Sequence, residues 1–238
     1  KKKKKYLTKW LAWFIAFLKP DTNYSIKKKT MVYSEEKWIS WMDELAENDI
    51  VIVDDFISDE LYKTIMDFFS VIEENERLKK AGIGTSLDYQ IKKEIRGDLI
   101  YWLDPKRDAP LTPFFNLMEE LREKLGMYCF ISLSGSEFHL AKYPTGSKYE
   151  KHIDQFNKRN NRQITVLIYL NKDWKEGDGG ELKVSNEEGG FTVEPIAKRM
   201  LLFKSDVVEH EVLLTNVPRY SLTGWLLHQP ASLGSLLS

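Results

Sequence analysis

Ile164-Thr165-Val166-Leu167-Ile168-Tyr169-Leu170 is a run of β-branched, aliphatic and aromatic residues between Gln163 and the polar turn Asn171-Lys172-Asp173. Such residues fit a pleated, half-buried surface, so the run reads as a strand. It has neighbours of the same kind on both sides. Residues 136–143, 149–154, 180–185, 190–194, 199–204, 210–215 and 219–228 are short β-rich runs separated by polar or Gly-containing turns. About eight short strands at this spacing point to a β-sandwich or barrel. Upstream the period changes. Trp38, Trp41, Met42 and Leu45 have helical spacing, so a helix is expected over 35–47. Residues 50–53 form a strand, and Ser58-Asp59-Glu60 looks like an N-cap with acids in the first turn. Leu61, Ile65, Phe68, Phe69 and Ile72 carry that helix to about Lys79. Residues 81–91 read as a Gly-containing mobile loop and residues 96–103 as a strand. Thr112-Pro113 opens a further helix, with Phe114, Met118, Leu121 and Leu125 as its stripe and Gly126 as its end. Helices then strands give an α+β class, with helices packed on one face of a double-sheet core. No internal repeat is seen, and residues 231–238 read as a loose tail.

The chain has 238 residues, one cysteine and four histidines. Cys129 alone excludes an internal disulfide and a Cys-rich zinc site, and a reducing compartment, the cytoplasm, is the default. A hydrophobic fraction of 42% with 13% aromatics supports a packed core. No run reaches the roughly 20 apolar residues of a membrane-spanning helix. Residues 1–30 hold ten lysines against Asp21 alone, so the formal charge of -1 conceals a basic leader on an acidic body. That distribution argues against nucleic-acid binding by the domain. Three readings of the leader stand open. It is a short helix on the domain, a membrane-surface or partner-binding helix over residues 1–20, or a targeting remnant. The sequence does not begin with Met, so the natural N-terminus is expected to be missing or altered.

On a strand, side chains alternate, so His152 and Asp154 share a face while Ile153 points into the opposite layer. His210 opens a late strand. Two histidines and one carboxylate make the facial set of non-haem Fe(II) oxygenases, which leaves coordination positions open. The His-x-Asp pair taken alone also fits a hydrogen-bonded surface pair. Arg219 lies nine positions after His210 on the last long strand. A guanidinium in a β-core needs an anion, and a dicarboxylic acid chelating the metal supplies one. His139 and His228 have no place in this set. His139 reads as a hydrogen-bonded structural histidine, and His228 as an exposed strand end.

Residues 139–228 resemble the catalytic core of the 2-oxoglutarate- and Fe(II)-dependent dioxygenases. More narrowly they resemble the prolyl hydroxylase domain enzymes, the oxygen-sensing hydroxylases and their bacterial relatives. The resemblance rests on Tyr143-Pro144, Tyr149-Glu150-Lys151-His152-Ile153-Asp154, Ile168-Tyr169-Leu170-Asn171-Lys172-Asp173-Trp174 and Gly179-Gly180-Glu181-Leu182. It continues through Glu194-Pro195, Leu201-Leu202-Phe203, Ser205-Asp206, His210-Glu211-Val212 and Arg219-Tyr220-Ser221-Leu222-Thr223-Gly224-Trp225. With Ile95-Arg96-Gly97-Asp98 it extends over roughly residues 50–228 and leaves out the leader.

The resemblance implies a double-stranded β-helix, or jelly roll, within an oxygenase domain at 31–230, flanked by the leader at 1–30 and the tail at 231–238. It implies that His152, Asp154 and His210 bind Fe(II), and that Arg219 binds the distal carboxylate of 2-oxoglutarate. Tyr169 matches a tyrosine that bonds the same carboxylate, Tyr143 one that lines the pocket, and Thr223 and Trp225 match pocket residues. Arg96, Asp98 and Arg162 match positions that contact or organise the peptide, and residues 81–91 match a loop that closes over it. Collagen-modifying prolyl hydroxylases have Lys where this chain has Arg219, which favours the oxygen-sensor-like branch. The segments from Tyr143 to His152 and from Ser205 to His210 are each one residue shorter than the pattern, which bears on loop shape.

The implied reaction is trans-4-hydroxylation of a prolyl residue in a protein, with O2 and 2-oxoglutarate as co-substrates, succinate and CO2 as products, and ascorbate as reductant. The implied protein partner is elongation factor Tu if the source is bacterial and a transcription factor if it is animal. The same chemistry on another side chain or a small molecule is one alternative. A non-catalytic binding module on the same fold is another, and it would be expected to have lost a ligand, which this chain has not. A nucleic-acid demethylase is disfavoured by the acidic body and by the lack of a second arginine after Arg219. Each aromatic has a plainer reading as core, and 158–162 has one as a solvated loop.

Overall fold

The structure, a computed structural model, describes residues 32–81, 96–155, 161–185 and 189–228. The leader at 1–30, nearly all of the 81–91 loop, residues 158–160 and the tail at 231–238 lie outside the described residues.

Three helices and three strands precede the β-rich half. They are α1 (Glu35–Asn48), β1 (Ile50–Val53), α2 (Asp59–Glu74), β2 (Lys79–Lys80), β3 (Leu99–Trp102) and α3 (Thr112–Tyr128). Eight strands follow. These are β4 (Gly135–Tyr143), β5 (Tyr149–His152), β6 (Arg162–Tyr169), β7 (Leu182–Val184), β8 (Phe191–Val193), β9 (Met200–Lys204), β10 (His210–Val212) and β11 (Arg219–Leu227). One sheet has the order β1-β9-β6-β11-β4-β3-β2 and the other β5-β10-β7-β8, with antiparallel neighbours throughout. The eight late strands divide between two facing sheets, as the jelly-roll expectation requires.

Alternation along the central strands explains the layers. On β11, Leu222 and Leu226 join Trp38, Ile65, Phe69 and Leu121 of the helices in one core. On β6, Val166 and Ile168 face the same way, and Leu202 does so on β9. The alternate residues Leu167, Tyr169 and Phe203 turn inward and meet Leu182, Val184 and Val212 of the smaller sheet. The large sheet is therefore covered by helices on one face and lines the sandwich interior with the other. Trp38 is fully buried, and its indole N–H donates to the Glu120 carboxylate at 2.9 Å.

Several boundaries differ from the sequence expectation. The α2 helix stops at Glu74, because the Asn75 side chain donates back to the Val71 carbonyl at 2.7 Å and Glu76 turns left-handed. Lys79, expected to end that helix, instead opens β2 on the sheet edge. Gly126 does not end α3. Lys124 and Tyr128 both hold Glu35 of α1, the helix runs on to Tyr128, and Phe130 takes the left-handed turn at φ 57°. Strand β5 stops at His152, and Ile153 is 40% exposed on the outer side of the smaller sheet rather than packed into a further layer. Ser58 caps α2 as expected, accepting from the Leu61 N–H at 3.1 Å.

Candidate active site

Register brings the two histidines together. His152 ends β5, His210 begins β10, and the two residues are directly paired across the smaller sheet. Their ring centroids lie 4.4 Å apart. Asp154 follows β5, with its carboxylate 3.5 Å from His152 Nε2 and 3.9 Å from His210 Nε2. The Gln155 N–H donates to the Ser205 carbonyl at 3.1 Å and ties the segment after Asp154 to the end of β9.

Each imidazole is oriented by its own strand. His152 Nδ1 lies 2.7 Å from the Glu150 carbonyl, and His210 Nδ1 lies 3.0 Å from the Val208 carbonyl. A carbonyl only accepts, so the proton of each neutral ring belongs on Nδ1, and Nε2 is left as a lone-pair donor. The Thr165 hydroxyl donates to Asp154 Oδ2 at 2.7 Å and lies 2.9 Å from Ser205 Oγ. Burial alone would raise the Asp154 carboxyl, but His210, His152 and Thr165 outweigh it and hold it well below the usual carboxylate range. Burial draws the His210 ring below its ordinary value against the pull of Asp154, which favours the neutral, ligating form. One ligand atom from each residue lies within 4.8 Å of the others. Two imidazole nitrogens and one carboxylate oxygen suit a divalent ion such as Fe(II).

The opposite end of the cavity suits an anion. Arg219 opens β11 and is 2% exposed. Its Nε donates to the Gly180 carbonyl at 2.8 Å, and its guanidinium sits over the rings of Tyr143 and Tyr169 at 4.9 and 5.0 Å. Arg219 Nη2 and Tyr169 Oη are buried with no hydrogen-bond partner among the described residues. Leaving such groups unmatched is costly, and a carboxylate satisfies both. Burial pushes the hydroxyl pKa values of Tyr143 and Tyr169 up, so both remain neutral. Gly180 has φ +77°, and a Cβ there would stand 2.9 Å from Arg219 Cδ, so only glycine leaves the guanidinium this path.

At the mouth, Arg96 makes two bonds to Asp98 at 2.6 and 2.9 Å and lies over the Tyr149 ring at 4.8 Å. Tyr149 in turn stacks on His152. Arg162 pairs with Glu137 at 2.7 Å, donates to the Asp154 carbonyl at 3.3 Å and lies 3.4 Å above the Trp225 ring. His152, Asp154, His210, Arg219, Thr223 and Trp225 all line one cavity, together with Tyr143, Arg96 and Arg162. Tyr169 stands behind Arg219, and Asp98 lines an adjoining recess. Every residue singled out for a site role thus falls in or against one cavity.

Sequence reading gave no role to Thr165, Gly180, Glu137 or Tyr149. Thr165 shares the inward parity of Tyr169 on β6, which is the signal that could have found it. His228 is exposed, as expected, with Nδ1 2.9 Å from the Ser132 carbonyl. His139 departs from expectation. It is 2% exposed and lines the cavity, and its Nδ1 has no partner among the described residues, so it is not a satisfied structural histidine.

A family model described as the 2OG-Fe(II) oxygenase superfamily matches residues 138–227. The chain is 29% identical over 184 residues to the mouse prolyl hydroxylase EGLN3, covering 73% of this chain and 76% of that protein. It is 31% identical over 188 residues to human Egl nine homolog 1, covering 74% of this chain and 43% of that protein. Among solved structures, a Pseudomonas putida prolyl-4-hydroxylase superposes with a TM-score of 0.74 at 30% identity, over 81% of this chain and 99% of that one. A Trichoplax adhaerens prolyl hydroxylase, solved with a hypoxia inducible factor oxygen degradation domain peptide fragment, agrees in fold with a TM-score of 0.74 at 24% identity, over 85% of this chain and 94% of that one.

Proposed function

The chain belongs to the 2OG-Fe(II) oxygenase superfamily and, within it, to the prolyl hydroxylases, and on that premise we propose that it carries out trans-4-hydroxylation of a prolyl residue in a protein substrate. The family uses Fe(II), 2-oxoglutarate and O2. In our reading His152, Asp154 and His210 hold the iron. Arg219, with Tyr169 and Tyr143, holds the far carboxylate of 2-oxoglutarate, while Thr223 and Trp225 flank the co-substrate. The observation that carries this reading is the pairing, in one cavity, of a buried His-Asp-His cluster with an arginine whose Nη2 lacks a partner. When bound, the iron supplies oxygen activation coupled to decarboxylation of 2-oxoglutarate to succinate and CO2.

The protein's part is positional. The Glu150 and Val208 carbonyls fix the two imidazoles, and Thr165 fixes Asp154. Arg219 sets the direction of the co-substrate. Leu167, Leu182 and Phe203 on the walls exclude water. We assign Arg96 and Arg162 to substrate contact and the buried Asp98 to organising Arg96 through its two bonds. The partner is then a protein bearing a target proline, elongation factor Tu in a bacterial setting or a transcription factor in an animal one. We take residues 31–230 as the oxygenase unit, ascorbate as the reductant and the cytoplasm as the compartment. The lone thiol of Cys129 fits a reducing compartment, and no described helix is long and apolar enough to cross a membrane. The Arg219→Ala variant tests the co-substrate assignment. Its KM for 2-oxoglutarate is expected to rise about 100-fold, the scale of a lost charge-assisted pair, with iron content unchanged. An unaltered KM would refute the assignment.

A further inference from the structure

Beyond the metal cluster and the anion anchor, the cavity has a third polar feature. His139 sits mid-strand on β4, paired with Trp102 on β3 and with Thr223 on β11, so its side chain faces the sandwich interior. Its ring is stacked on Trp225, with centroids 5.5 Å apart and planes inclined at 29°, and it lies 4.9 Å from the Trp102 ring. Two buried nitrogens in this stack, His139 Nδ1 and Trp225 Nε1, have no partner among the described residues. Both residues are at least 96% buried, and both line the cavity that holds the His-Asp-His cluster. His139 is not itself part of that cluster. Trp102, next in the row of rings, is 45% exposed, so the row runs from the cavity toward solvent.

Apolar packing explains the rings but not the nitrogens. A purely structural aromatic wall is as well served by Phe or Leu, which bury no unmatched donor. An indole N–H only donates. The imidazole is deep among aromatics and near two guanidiniums, so burial first, and then Arg96 and Arg162, hold it in the neutral form with one N–H. A proton on Nδ1 makes the imidazole a second neutral donor beside the indole, and two such donors on adjacent rings suit one acceptor with two lone pairs. A peptide carbonyl is such a group. A carboxylate is the weaker fit, because the cations near this wall are already engaged, Arg96 with Asp98 and Arg162 with Glu137.

Resting on the prolyl reading of the cavity, we infer that His139 and Trp225 form a substrate subsite whose two N–H groups hold the backbone carbonyl of the target residue beside the metal cluster. The site selects a residue within a peptide over the free amino acid, because the latter presents a carboxylate at the same distance from the oxidised carbon, and a carboxylate is the weaker fit to this wall. His139 is thus a specificity-determining residue for this chain.

The test compares the intact wild-type protein with His139→Phe, which keeps the ring, and His139→Asn, which restores a donor. Each is assayed with a synthetic peptide that the wild type oxidises and with the same peptide carrying a thioamide, a weaker acceptor, at the target carbonyl. Peptide affinity is also read calorimetrically on the manganese-loaded protein. For His139→Phe we expect about a tenfold rise in peptide Kd and KM, the scale of one lost neutral hydrogen bond, with the KM for 2-oxoglutarate unchanged. His139→Asn should recover most of the affinity. The thioamide should weaken binding to the wild type about tenfold and to His139→Phe hardly at all. Unchanged peptide affinity in His139→Phe, or equal sensitivity of both proteins to the thioamide, overturns the inference. Equal losses in the Phe and Asn variants also overturn it, since they would mean packing alone. These results leave the prolyl reading standing. A wild type that consumes 2-oxoglutarate but oxidises no prolyl residue defeats that reading and this one together.

Discussion

At the scale of single residues, the site is made of side chains whose positions are set by a second ring of partners. Asp154 is held by Thr165, and Thr165 by Ser205. Thr165→Val keeps shape and removes the hydroxyl. It is expected to lower iron affinity about 10- to 100-fold, the usual cost of losing an outer hydrogen bond to a metal ligand, and metal titration followed by calorimetry checks it. His139 supplies a pH prediction. Its unfolded-state imidazole takes a proton near pH 6.5, whereas burial holds the folded-state ring neutral to well below that. The unfolded chain therefore binds more protons in this window, so stability falls as pH is lowered below 6.5. Between pH 7.5 and 5.5 the wild type should lose about 1 kcal/mol more unfolding free energy than His139→Phe. Urea denaturation at the two pH values measures the difference, and parallel losses would contradict it.

At the scale of elements, the large sheet depends on its helical cover. Trp38 on α1 touches Phe56 and Trp41 edge-on and donates to Glu120 of α3, so it ties two helices over the sheet. Trp38→Ala is expected to cost about 3–5 kcal/mol, read from denaturant midpoints, while the KM for 2-oxoglutarate of the protein that stays folded is unchanged. The elements show what was legible in advance. The run at 164–170 and its seven neighbours could be read because strands carry their signal locally, in residue type and spacing. The metal cluster could be read because His152 and Asp154 stand two apart and His210 opens a strand. The ends of elements were not legible. Gly126 reads as a stop, yet Lys124 and Tyr128 reach Glu35, 89 and 93 positions earlier, and carry the helix through it. The two-residue strand β2 leaves no pattern in sequence, since it exists only by pairing with β3. His139 was misread for the same reason: its type and strand position were visible, but the missing partner of its Nδ1 is a property of the assembled wall.

At the scale of the whole molecule, two facing sheets bring together residues from β4, β5, β6, β10 and β11 that lie up to about ninety positions apart in the chain. In the proposed reading, the His-Asp-His cluster and the buried guanidinium of Arg219 line the same interior and set the charge of the co-substrate. The row of rings from Trp225 to Trp102 runs from this interior to an exposed tryptophan, the side that the inferred subsite gives to the substrate. In the proposed reaction this cavity couples 2-oxoglutarate consumption to oxidation of a prolyl residue in a protein. The most direct measurement incubates the protein with Fe(II), 2-oxoglutarate, ascorbate and candidate protein substrates under isotopically labelled O2. Succinate is counted, and the oxidised residue is mapped by mass spectrometry. The account predicts one labelled oxygen on a proline, at its 4-position, for each succinate formed above the substrate-free background, and none with Asp154→Ala. Succinate formation that persists in Asp154→Ala, or labelled oxygen found only on residues other than proline, would contradict it.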